Sequence, residues 1–131
     1  MSSSVYDQAY EYALQIVGLY KYLCNEKKEF TLSQRILNSG TQIGAEIAGA
    51  GAAISELESI ALHGLAQKYC LETQYWLCLL RDTGYLSPEI FNSLYTEAED
   101  LIQNLSLQTQ QVTQSQKPSD WALPKKLVRE E

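Results

Sequence analysis

Proline is nearly missing. The 131 residues hold three, Pro88, Pro118 and Pro124, so the first 87 positions have none. Proline removes a backbone N–H and collides with the preceding turn, and its absence leaves that stretch free to form long helices. Alternation of apolar and polar residues, the mark of half-buried strands, is also missing at any useful length. No apolar run nears the roughly 18 residues of a membrane-spanning helix. The start, Met1 to Asp7, has neither the basic region nor the apolar stretch of a secretion signal. Three cysteines, Cys24, Cys70 and Cys78, form no C-x-x-C pair and read as buried thiols of a reducing cytoplasm. Positive charge is short as well: 10 Lys and Arg stand against 16 Asp and Glu, a net charge of −6. That argues against a broad basic face for nucleic-acid phosphates, though it allows a local patch.

What is present is the helical period. From Val5 to about Lys27, the residues Val5, Ala9, Tyr12, Ala13, Ile16, Val17, Tyr20, Leu23 and Cys24 step by threes and fours and make one stripe. A second helix is predicted from Thr31, with Gln34 completing a capping box. Its small residues recur at spacing four, Gly40, Gly44, Ala48 and again Ala45, Gly49, Ala53. Glycine inside a helix costs about 1 kcal/mol relative to alanine, so Gly40 and Gly44 predict a close backbone approach to a neighbour. Gly49 to Ala53 reads as a join.

A third helix opens at Ser55-Glu-Leu-Glu58 and stops at Gly84. It carries two apolar stripes. One is Leu57, Ala61, Gly64, Leu65, Leu71, Tyr75, Cys78 and Leu79; the other is Leu62, Ala66, Tyr69, Trp76 and Leu80. A helix apolar on this many sides has more to bury than three neighbours of one small chain cover, which predicts self-association. The expected contact residues are Gly40, Gly44, Leu62, Ala66, Tyr69, Trp76 and Leu80. A fourth helix begins at Ser87-Pro-Glu and is expected to fray from Gln108, where the sequence turns to Gln, Thr and Ser. Residues 1–116 thus predict an all-α, antiparallel up-down four-helix bundle, and 117–131 a separate tail.

Signals for catalysis are weak. His63 is the one histidine, and five residues separate it from Glu58, which turns the two to different faces. Cys70 and Cys78 lie about 12 Å apart along a helix axis. No phosphate-cradling loop follows a strand. No catalytic, cofactor-binding or metal-binding residue is therefore expected. The basic candidates for phosphate or partner contact are Lys27, Lys28, Arg35, Lys125, Lys126 and Arg129, although the residues favour solubility and fold-back contacts as the role of these charges. Trp121 is either an anchor for a partner protein or part of a strap over its own bundle.

Four strings carry a resemblance: Leu32–Ala48 (LSQRILNSGTQIGAEIA), Ala53–Ser55, Glu72–Leu77 (ETQYWL) and Thr83–Leu86 (TGYL). They resemble the ribosomal-RNA intervening-sequence proteins and the accessory variability determinant of diversity-generating retroelements. The resemblance spans about Tyr6 to Leu107. It implies a four-helix bundle assembled as a barrel-like homopentamer, with no known catalysis and no cofactor. Through its retroelement branch it implies binding to nucleic acid and to a reverse transcriptase. The chain departs from the family pattern at Asn38, Glu46 and Gly49. Two functions follow as expectations: an oligomeric cytoplasmic scaffold or adaptor, and a nucleic-acid-binding retroelement accessory.

Overall fold

Each helix starts where a side-chain oxygen takes up free backbone N–H groups. The structure, a computed structural model, describes residues 4–115: α1 (Val5–Asn25), α2 (Leu32–Ala50), α3 (Glu56–Asp82) and α4 (Pro88–Ser115). Ser4 Oγ accepts from Asp7 N at 3.1 Å, Ser55 Oγ from Glu58 N at 3.1 Å and Ser87 Oγ from Ile90 N at 3.2 Å. Glu58 also reaches back to accept from the Ile54 N–H.

The capping box expected at Thr31 does not form. Thr31 already has helical backbone angles, and its side chain makes no cap bond. The carboxylate of Glu29 takes over, accepting from the N–H groups of Thr31, Leu32 and Ser33 at 3.2, 3.0 and 2.7 Å. A carboxylate at the positive end of a helix also meets the dipole favourably, which a hydroxyl does not. Lys28 (φ 54°) sits in the left-handed region and folds the chain so that Glu29 N donates to Leu23 O at 2.9 Å. Gly84 (φ 88°) does the same after α3 without a Cβ penalty. Two boundaries differ from the sequence reading. Gly49 lies inside α2 rather than in a join, and α4 stays helical through Ser115 instead of fraying at Gln108. Residues 117–131 lie outside the described residues.

The helices pack in a ring, α1 on α2, α2 on α3, α3 on α4 and α4 on α1. Cross-helix pairs show that neighbours run antiparallel: Gly40 meets Ile16 and Gly44 meets Ala9, Ser39 meets Thr73 and Gly49 meets Leu62, Gln67 meets Ser106 and Gln74 meets Glu99, and Gln8 meets Asn104 as Gln15 meets Glu97. The core contains Tyr12, Ile16 and Leu23 of α1, Ile36 and Ile43 of α2, Cys70, Leu77 and Leu80 of α3, and Leu101 and Leu105 of α4. Buried polar groups are matched. The Tyr12 hydroxyl donates to Leu94 O at 2.9 Å, and Thr73 Oγ1 lies 2.8 Å from both Ser39 Oγ and Tyr69 O.

Gly40 is where two backbones come close. A Cβ there would stand 2.8 Å from both Cγ atoms of the fully buried Ile16. These atoms are branched next to the backbone and have little room to retreat. Overpacking of this kind costs about 1–3 kcal/mol, more than the roughly 1 kcal/mol of helix propensity that alanine adds. Gly64 has nothing within 4 Å of such an atom. Urea unfolding should therefore show Gly40→Ala destabilised, with Gly64→Ala stabilised by about 0.5–1 kcal/mol.

Burial also sets a pH dependence. The Cys70 thiol is pushed from 9.0 up to about 12 by desolvation, so the folded chain keeps a proton that the unfolded chain loses. The Tyr12 hydroxyl is raised above its usual 10.0 by burial first, then by Cys70 and Glu97. With fewer protons bound in the unfolded state, stability falls as pH rises. Stability should be level below the ordinary thiol value of 9.0 and decline toward 12. In Cys70→Ala the decline should begin nearer 10.0, where Tyr12 takes over. Denaturant titrations across that range check both statements.

Candidate interaction surface

Helix α3 has a core face that repeats every seven residues. His63, Ala66, Cys70, Thr73, Leu77 and Leu80 step by three and four and are buried. On the α4 side, Gln67 donates to Ile102 O and Ser106 Oγ at 3.1 and 2.7 Å, and Gln74 donates to Glu99 Oε1 at 2.9 Å. Arg81 lies over the Phe91 ring, 4.2 Å from its centroid. On the α2 side, Leu62, Tyr69 and Trp76 are half-buried. Both flanks are therefore occupied, and the remaining face turns outward. It carries Leu57, Leu65, Leu71 and Tyr75, exposed by 54%, 39%, 58% and 58%. Together they form a water-facing apolar row along the 27-residue helix, and α1 carries another in Tyr6, Tyr10, Leu14 and Tyr22.

The predicted contact residues lie elsewhere. Ala66 and Leu80 are fully buried in the core of their own chain. Leu62, Tyr69 and Trp76 lean on α2, with Leu62 placed beside Gly49. Gly40 and Gly44 face α1: Gly40 meets Ile16, and Gly44 lies against Ala9. The close approach inferred from the two glycines is present, but it joins α1 and α2 of one chain. The exposed row belongs to the other α3 stripe. The reason is that buried positions on α3 include Thr73, Gln74 and His63, whose polarity hides the core face from a count of apolar residues. The signal that finds the true face is the seven-residue recurrence of Gln67, Gln74 and Arg81 beside it.

His63 is buried, and its Nδ1 lies 2.8 Å from the Ser59 carbonyl oxygen, a contact that anchors the ring to its own helix. Among the described residues, no three His, Cys, Asp or Glu side chains gather to hold a metal ion, and no helix is long and apolar enough to cross a membrane.

Of the basic candidates, Lys27, Lys28 and Arg35 are exposed. The Lys27 ammonium stands 6.0 Å from the Tyr22 ring centroid of α1, whereas the Arg35 guanidinium stands 6.0 Å from the Trp76 ring of α3. They turn toward different helices. Arg35 and Trp76 line a cleft of about 250 Å³ between α2 and α3 with Asn38, Glu72 and Tyr75. Tyr75 and Trp76 meet edge to face at 4.9 Å. Residues 4–115 hold six basic and thirteen acidic side chains, a net −7. Trp121, Lys125, Lys126 and Arg129 lie outside the described residues.

This architecture matches known proteins. The model of the 23S rRNA-intervening sequence protein family matches residues 1–107. A solved structure is similar, that of a protein of unknown function from the S23 ribosomal protein family of Bacteroides thetaiotaomicron. It is 40% identical, with a TM-score of 0.80, over 81% of this chain and 95% of that one. No curated protein matches the chain. The matched span takes in α1, α2, α3 and most of α4, and the fold agrees with it. The chain belongs to the 23S rRNA-intervening sequence protein family.

Proposed function

We propose that this chain is a non-enzymatic scaffold that assembles from copies of itself and acts as an adaptor. One observation carries the reading: α3 fills its core face and both flanks within the chain and still exposes Leu57, Leu65, Leu71 and Tyr75. Apolar burial is worth about 25 cal/mol per Å², and a second copy supplies the cover that α2 and α4 do not. Small residues on the neighbouring outer surface of α2, Ala45, Ala48 and Gly49, leave room for that approach. A ring of five is the assembly the family resemblance implies. Each copy contributes one segment 117–131, with Trp121 as the anchor for a partner protein.

The competing reading is a nucleic-acid-binding accessory that partners a reverse transcriptase through Lys27, Lys28, Arg35 and the tail lysines. The net −7 of residues 4–115, and the different directions of Lys27 and Arg35, favour the scaffold.

Light scattering on the full chain should return a mass several-fold above 14.8 kDa. Leu71→Glu with Tyr75→Glu should reduce it to a single chain with unchanged helical circular dichroism. A wild-type particle of one chain mass across dilution would overturn the scaffold. In a filter-retention assay at about 50 mM salt, RNA and DNA should not be held. Steeply salt-dependent retention, weakened by Lys27→Ala and Lys28→Ala, would instead establish the competing reading.

A further inference from the structure

The groove between α1 and α4 has no occupant in the described chain. At one end it forms an apolar hollow of about 490 Å³, floored by the nearly buried Leu19 and Leu94 and walled by Gly18, Tyr22 and Ile90. Tyr22 and Ile90 are each 36% exposed. Further along, the same groove passes Asp7, Glu11, Glu97 and Asp100. Among the described residues none of these four carboxylates makes an ion pair, the sole pair being Arg81 with Asp82.

We infer that the segment Lys125–Val128 of the same chain docks in this groove, with Leu127 and Val128 in the apolar hollow and Lys125 and Lys126 against the carboxylates. Three features select this occupant. The first is charge. The tail carries four basic residues against three acidic ones in 117–131, with Lys125 and Lys126 adjacent. The second is composition, since the basic pair is followed directly by two branched apolar residues, the order that the groove presents. The third is reach.

α1 and α4 are antiparallel, with Asn104 bonded to Gln8 and Gln15 bonded to Glu97. The end of α4 at Ser115 therefore lies beyond the start of α1. At 1.5 Å per residue, Ser115 is about 27 Å along the axis from Glu97 and about 32 Å from Leu94. An extended chain covers about 3.3 Å per residue, so Lys125 reaches about 33 Å and Leu127 about 40 Å. Trp121 reaches only about 20 Å and stops short of the hollow, which leaves it free for a partner. The strap holds α1 to α4 along the seam where neighbouring helices touch least.

A nitroxide on Val128→Cys in the full chain, with Cys24→Ser and Cys78→Ser, tests this by NMR. The amides of Gly18, Tyr22, Ile90 and Ser93 should lose most of their intensity. Those of Ala61, Gly64 and Leu71 on the outer face of α3 should keep theirs. Lys125→Glu with Lys126→Glu should restore the groove signals. No broadening at the groove would overturn the strap. Equally strong broadening in a mixture of nitroxide-bearing chains with isotope-labelled chains that carry no nitroxide would also overturn it, because the tail would then occupy another copy. Ser93→Cys with Val128→Cys gives an independent check. Its disulfide should form within one chain on a denaturing gel, and a crosslink only between chains would refute docking in cis. Neither readout depends on whether the scaffold forms.

Discussion

The contact between Gly40 and Ile16 sets the spacing of α1 and α2, and much of the bundle follows from it. With no side chain at position 40, the branched carbons of Ile16 settle directly on the α2 backbone. Held this closely to α2, α1 presents Tyr12 to the interior, where its hydroxyl finds the Leu94 carbonyl. The opposite edge of α1 is then held to α4 by long polar side chains, Gln8 to Asn104 and Gln15 to Glu97. Long side chains span a gap that short apolar ones would close, and the groove between α1 and α4 is that gap.

The same logic shapes α3. Its neighbours grip it by different means, α2 through Ser39, Thr73 and the half-buried Leu62, Tyr69 and Trp76, and α4 through Gln67, Gln74 and Arg81. Matched polar groups inside the bundle fix which face points inward, because an unmatched one would cost about 1–3 kcal/mol. With that face fixed, the remaining apolar residues have only the outside to occupy. The outward row of Leu57, Leu65, Leu71 and Tyr75 is thus a consequence of where the polar groups had to be satisfied.

Charge is divided along the chain as well as over its surface. Thirteen of the sixteen acidic residues lie in 4–115, while four of the ten basic residues lie in 117–131. The net −7 of residues 4–115 gives the bundle a potential that opposes phosphate.

Helix number, the starts of α1, α3 and α4 and the end of α3 were legible in the residues, because spacing, serine caps, Pro88 and Gly84 act locally and need no partner. The tight approach at Gly40 was legible too, as a cost that only close packing explains. Its partner was not, since a glycine declares closeness without naming the helix that comes close. Nor was Glu29 as the cap of α2, which depends on the left-handed turn at Lys28 folding the carboxylate back. The outward stripe of α3 was decided by packing alone. Two apolar stripes on one helix are equivalent in a list of residues, and they become unequal only when Thr73 and Gln74 find partners on α2 and α4 and turn one of them to the solvent.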